Sequence, residues 1–227
     1  MSRSLFTSRH GGLSSNEFES FNLALHVGDE AKTVESNRNL LAEELGIKRS
    51  ELFFMNQVHG SRVVEIDESS SYLDEPEADA LFTRRSGIAL AVLTADCIPL
   101  LLSSPSAIAA VHIGRKGLIA GVLEATLDKF ESYGITSSQI SALLGASICG
   151  TCYQVSLEIY RQVVDQIEQC ATDENKRCLD LEAGVISILK SRGITWSSRG
   201  ECSKHSPGYF SFRRDNKTGR QAGVIIR

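Results

Sequence analysis

Three side chains in this sequence carry the chemistry of a metal centre or a covalent catalyst: His59 in FFMNQVHG, Cys97 in LTADCIPLLL and His112 in AAVHIGRKG. Each stands at or just beyond the end of an apolar run. Imidazoles and a thiolate brought together serve either as metal ligands or as a nucleophile with its base. The chain has five histidines, at positions 10, 26, 59, 112 and 205. His59 is the natural third member, and only its company with Cys97 and His112 distinguishes it from a structural histidine. As ligands, the three leave the fourth tetrahedral position open, which is the arrangement of a catalytic zinc able to lower the pKa of water towards roughly 7. As a covalent catalyst, Cys97 attacks, His112 is the base and His59 is incidental. Two histidines and a cysteine are also the ligands of blue copper. There, however, the cysteine and second histidine share a short loop, whereas Cys97 and His112 are fifteen positions apart. Asp96, beside Cys97, either orients a ligand, moves a proton or caps local backbone.

Positioning these groups requires strands. Residues 88–93 are short, β-branched and uncharged, as suits a strand buried on both faces. Pro99 biases Ile98 away from helix, so Asp96 and Cys97 sit at a strand end or bend. Residues 107–111 form a second run ending at His112, and Gly114 and Gly117 let the backbone turn into a helix over 118–130. Residues 52–55 and 62–66 are strand-like, with His59 in the turn between them. Upstream, a helix over 31–45 is capped by Asp29 and stopped by Gly46. Its apolar stripe is Val34, Leu41 and Leu45, which leaves Asn37 and Arg38 on the exposed side. Arg115 and Lys116 precede the 118–130 helix, where their charge is unfavourable unless an anion such as phosphate binds. Further strands are expected at 5–8, 140–144, 194–197 and 222–226, and further helices from Ser156 to about 170 and from Asp180 to about 192. Between the last two strands, HSPGYFSFRRDNKTGRQ mixes aromatics with Arg213, Arg214, Lys217 and Arg220. That mixture suits a base or a phosphate, and equally an amphipathic edge strand. The alternation of strands and helices argues for a layered α/β fold.

The 227 residues read as one domain, 1–227, with no linker to divide it, and 42% hydrophobic and 23% charged residues are ordinary for a globular enzyme. A formal charge of -4 gives no reason to expect nucleic acid or an anionic membrane as partner. No run is long enough to span a bilayer and no secretory leader is read, so a cytoplasmic location is expected. The six cysteines are then reduced thiols. Among them Cys149-Gly-Thr-Cys152 has the spacing of a redox dithiol or of half a zinc knuckle, but the chain has no second C-x-x-C.

Several motifs together are more specific. FTSRHGG (6–12), NLALHVGD (22–29), SNR (36–38), NQVHG (56–60), ADALFT (78–83), LTADCIPLLL (93–102), HIGRKG (112–117), CYQV (152–155) and FSFRRDNKTGRQAG (210–223) run nearly end to end. In this order they resemble the YfiH-like, or laccase-domain, family of zinc-dependent purine nucleoside enzymes. The resemblance implies a single-domain three-layer α/β sandwich with a mixed sheet, distantly similar to cysteine hydrolases of deamidating toxins. It implies zinc held by His59, Cys97 and His112. The implied chemistry is phosphorolysis of adenosine, inosine, guanosine and methylthioadenosine, with deamination of adenosine. Purine nucleosides and phosphate are then the partners, with Arg38, Arg115 and Lys116 as phosphate-binding candidates and Asp96 as a catalytic one. The family's older description as a polyphenol oxidase keeps copper as the alternative metal, although five histidines are too few for a four-copper laccase assembly. The family's usual turn is HAGWRG. Here Ile113, Arg115 and Lys116 replace Ala, Trp and Arg, which removes a stacking surface and exchanges a bidentate cation for a point charge. The altered turn also leaves room for a catalytically silent binding module.

Overall fold

The computed structural model describes residues 2–227. In chain order its elements are β1 (Arg3–Phe6), α1 (Ala31–Leu45), β2 (Leu52–Phe53), β3 (Val63–Glu65), β4 (Ala80–Thr83), β5 (Ala89–Thr94), β6 (Ile98–Ser103) and β7 (Ile108–Ile113). They continue as α2 (Arg115–Ile119), α3 (Val122–Glu131), β8 (Ser141–Leu144), α4 (Leu157–Val164), α5 (Leu181–Ser191), β9 (Thr195–Ser198), α6 (Phe212–Asp215) and β10 (Gln221–Ile226).

The strands form two mixed sheets, one in the order β1-β10-β5-β2 and one in the order β3-β4-β7-β6-β8-β9. The period of two along the central strands explains why both sheets are buried on both faces. On β5, Leu90 and Val92 join Phe6, Leu101, Ala110 and Ile225 between the sheets. Their neighbours Ala89, Ala91 and Leu93 instead pack under Leu41 and Leu45 of α1. On β6 and β7, Leu100, Leu102, Ala109 and Val111 face the other way, against Leu118, Val122, Leu127, Val185 and Leu189 of the helices. Helices therefore cover both outer surfaces. The expected α/β sandwich with mixed strands is present, and its strand layer is doubled.

The caps at Ser156 and Asp180 form as expected, each side chain accepting the N–H three residues on. Gly46 ends α1 with φ +71°. Four local expectations need correction. The helix expected over 118–130 is broken into α2 and α3, because Gly121 adopts φ +79° between them. Asp29 does not cap α1. Its carboxylate accepts from Ser14 Oγ at 2.7 Å and Asn22 Nδ2 at 2.9 Å instead. The helix begun at Ser156 stops at Val164 rather than near 170. The aromatic and basic stretch before β10 forms a loop carrying the short α6, not an edge strand. No helix among the described residues is long and apolar enough to cross a membrane.

Candidate metal centre

The chain crosses from one sheet to the other between β5 and β6, and Asp96 and Cys97 occupy that crossing. Asp96 has φ +100°, which confirms the bend expected there. Beside it, β7 delivers His112 from inside the strand, opposite Pro99 in register. Pro99 does not end the strand, since a residue without an N–H is tolerated where pairing begins. His59 arrives from the loop after β2 with φ +61°.

The three donor atoms lie within 4.8 Å of one another. Cys97 Sγ is 3.9 Å from His59 Nε2, and the two imidazoles meet edge to face with centroids 4.7 Å apart. One buried carboxylate sets the His112 ring and the backbone of the His59 loop. Asp79 Oδ1 binds His112 Nδ1 at 2.8 Å, which turns Nε2 towards the centre. The same oxygen accepts the His59 N–H at 2.9 Å, while Oδ2 accepts from Gly60 N at 2.6 Å and Val58 N at 3.3 Å. A ligating histidine fixed through its other nitrogen by a carboxylate is the usual support of a metal site.

Charge distribution favours a thiolate. Burial alone would raise the Cys97 pKa, but the His112 charge and hydrogen bonds from both imidazoles bring it down to about 6. Burial likewise opposes the charge on His112, and the Cys97 thiolate and Asp79 carboxylate overcome it, raising His112 to about 9. Hydrogen bonds from His112 and from the backbone hold Asp79 low despite its burial. The space between the ligands depends on a missing side chain: a Cβ on Gly114 would come within 2.9 Å of His59 Cδ2 and 3.1 Å of Cys97 Sγ. The donor set, its spacing and its support all fit one tetrahedral ion with an open position.

The three residues form the floor of a cavity of about 360 Å³, whose walls include Leu93, Ile148, Tyr153, Phe212, Arg213 and Arg220. Phe212 is exposed at the rim, and Arg213 lies over the Tyr153 ring at 5.0 Å. Thr94 also lines the cavity, and its hydroxyl is buried with no hydrogen-bond partner among the described residues. His26 lines it too, with its pKa lowered by burial and by the nearby Arg220 charge. A second, smaller cavity of about 260 Å³ shares His59, Cys97 and Tyr153 and is lined in addition by Arg115 and Lys116.

Arg115 and Lys116 therefore adjoin the centre, but Arg38 does not line either cavity. Expected on the exposed side of α1, Arg38 is buried. It stacks over Phe54 at 4.0 Å, donates to Leu23 O at 2.9 Å and meets Glu75 at 2.5 Å and Glu35 at 3.0 Å. Two carboxylates and a carbonyl answer its charge. Asn37 is buried as well, tying α1 to Leu13 N and Asn22 O, so the helix's inner face is wider than its apolar stripe. Asp96 lines the cavity with its carboxylate committed: Ser203 Oγ and Ser211 Oγ donate to it at 2.7 Å each, and Arg213 N at 2.6 Å. It anchors the loop that forms the cavity's wall. Of the four cations in that stretch, Arg213 and Arg220 reach the cavity. Arg214 is spent on four backbone carbonyls and Asp215, and Lys217 faces Glu17.

Asp79 went unrecognised in the sequence, although ADALFT contains it. Its signal is the last of four acids, Asp74, Glu75, Glu77 and Asp79, before an apolar strand, and without the fold that run looks like solvated charge.

A family model described as multi-copper polyphenol oxidoreductase laccase matches residues 3–227. A purine nucleoside phosphorylase of Corynebacterium glutamicum is 41% identical over 98% of this chain and 93% of its own length. A Streptomyces coelicolor protein of the same name is 39% identical, covering 97% of this chain and 93% of its own. The crystal structure of the Bacillus licheniformis hypothetical protein YfiH superposes with a TM-score of 0.89 at 27% identity, covering 99% of this chain and 92% of that one.

Proposed function

The chain belongs to the multi-copper polyphenol oxidoreductase laccase family, and from that premise we propose that it is a zinc-dependent purine nucleoside phosphorylase. Its proposed substrates are adenosine, inosine, guanosine and methylthioadenosine, with deamination of adenosine as a second activity and residues 1–227 working as one catalytic domain. The observation that carries the reading is the convergence of His59, Cys97 and His112 on the floor of a cavity of about 360 Å³, within the size range of small-ligand sites. The names of its relatives supply the substrate class.

His59, Cys97 and His112 would hold the zinc. Bound there, zinc supplies Lewis-acid stabilisation of developing negative charge. Tyr153 and Phe212 offer faces to the purine. Arg115 and Lys116 bring phosphate to the edge of the same floor. In phosphorolysis a phosphate oxygen bonds to the ribose C1′ as the bond from C1′ to the purine nitrogen breaks, and the purine leaves with the electron pair. Two cations beside the attacking anion, and aromatic walls that exclude water from the ribose carbon, are what this chain contributes. Asp96 works at one remove, by holding the wall that carries Phe212 and Arg213.

One observation favours a second reading. Asp79, His112 and Cys97 stand in the order acid, imidazole, thiol, as in a nucleophilic triad, which suits a metal-free hydrolase. Copper oxidation is less well supported, because a multi-copper assembly needs more imidazoles than His59 and His112. The deciding experiment follows adenosine and inosine with inorganic phosphate, before and after chelation. Adenine or hypoxanthine with ribose 1-phosphate, lost on chelation and restored by zinc, is the expected result. Release of free base and ribose, undiminished after chelation and independent of phosphate, would give the site to the hydrolase, and oxidation of a phenol at a matching rate in copper-loaded protein would give it to the oxidase.

A further inference from the structure

Four donors outside the cavity floor come together in a manner the phosphorylase reading does not use. Cys149 and Cys152 close a turn in which Cys152 N donates to Cys149 O at 2.9 Å and Tyr153 N to the same oxygen at 3.2 Å. Cys202 and His205 make a matching turn, with Ser206 N donating to Cys202 O at 3.0 Å. The two turns are locked side by side by the bridge between Ser147 and Cys202, in which Ser147 N reaches Glu201 O at 3.2 Å and Ser203 N reaches Ser147 O at 2.9 Å. Across them, Cys149 N points at Cys202 Sγ at 3.4 Å, and Cys152 Sγ is 3.0 Å from His205 Nε2. The four donor atoms lie within 4.8 Å of one another.

We propose that Cys149, Cys152, Cys202 and His205 bind a second zinc ion, in a closed Cys₃His site that is structural. A tetrahedral ion with bonds of about 2.3 Å sets its donors about 3.8 Å apart, so the four need move only by about 1 Å or less. Two short chelate loops with x-x spacing, held in register by backbone hydrogen bonds, are how zinc knuckles are built. A backbone N–H aimed at a sulfur supports that sulfur as a thiolate. A disulfide would use two of these sulfurs and strand the third together with the imidazole. The ion's work follows from its place. The first turn is flanked by Ile148 and Tyr153, which line the cavity, and the second leads through Ser203 to Ser211 and Arg213, which fasten to Asp96. The second zinc therefore clamps together two walls that approach the catalytic centre from distant parts of the chain. This assignment does not depend on the reaction catalysed.

The test counts metal per chain in full-length protein purified under reducing conditions, equilibrated with Zn²⁺ and desalted. Two zinc ions are expected in the wild type, one in Cys202→Ser and one in His59→Ala, while His205→Cys, which offers a fourth sulfur, keeps two. Replacement by Co²⁺ identifies the ion that remains. The sulfur-to-cobalt absorption per ion should be about threefold stronger in His59→Ala, with three thiolate ligands, than in Cys202→Ser, with one. A wild type that holds one ion and keeps it in Cys202→Ser overturns the proposal, and so does a disulfide among Cys149, Cys152 and Cys202 in protein isolated without oxidant. Loss of the ion from the His59 and Cys97 site alone would count against the catalytic reading and leave this one standing.

Discussion

The two clusters of sulfur and imidazole are built from the same atoms and differ in almost everything else. His59, Cys97 and His112 come singly from three parts of the chain, a loop, a bend between two buried strands and the interior of a third strand, and present three donors. Cys149, Cys152, Cys202 and His205 come as two pairs on turns and present four. Three donors on a rigid scaffold leave a face for substrate, whereas four on short loops close the ion off and spend it on joining those loops. Donor count and scaffold, more than residue type, separate chemistry from architecture here.

That contrast is open to attack by substitution. Cys97→Ala should cut phosphorolysis by at least ~10³-fold with little change in thermal midpoint, since losing charge stabilisation at the reacting centre is worth several kcal/mol. Cys202→Ser should do the reverse first, lowering the midpoint by on the order of 10 °C; calorimetry and a phosphorolysis assay on both variants read it out. Equal losses of activity and stability in the two would abolish the distinction.

The open centre should also be the more reactive when stripped of metal. In zinc-free protein the Cys97 thiolate and the His112 imidazolium support each other. Thiolate stabilisation, present at high pH, is lost as pH falls through about 6. Imidazolium stabilisation, present at low pH, is lost as pH rises through about 9. Alkylation of Cys97, followed by peptide mass spectrometry, should therefore rise through about pH 6, and His112→Ala should move that midpoint upwards. A wild-type midpoint at the ordinary thiol value would refute the pairing.

Asp79→Asn should weaken zinc binding at the catalytic centre by ~10–100-fold, measured by competition with a chelator. It keeps one acceptor for His112 but turns an NH₂ towards the amides of Val58 and Gly60. The structural cluster should hold its ion unchanged. The smallest effect belongs to Arg115→Ala, which should raise the KM for phosphate about tenfold, the cost of roughly one charge-assisted contact, and leave the KM for nucleoside near its starting value. A change in both constants would place the nucleoside, not phosphate, beside Arg115.

What could be read from sequence alone follows the same division. Buried strands were legible because β-branched and apolar runs bounded by turn residues have few other folds available, as with β5 and β7. His59, Cys97 and His112 were legible as donors only together, since a lone histidine near a core edge is usually structural. Their company came from the order of motifs and not from spacing. Asp79 was hidden because its role exists only once β4 lies against β7 and the His59 loop. Arg38 was misread because a stripe drawn through aliphatic residues ignores a guanidinium stacked on Phe54. The partner of Cys149 and Cys152 is hidden because the other pair, Cys202 and His205, lies far along the chain and ends in histidine, so no second C-x-x-C marks it.

Gly114 limits how this protein can be re-engineered. Any side chain there collides with two of the three ligands, so the floor of the cavity tolerates no remodelling from that direction. The loop bearing Phe212 and Arg213 stands at the solvent edge and holds none of His59, Cys97 and His112. Libraries aimed at new nucleobases belong on that rim, with position 114 left as it is.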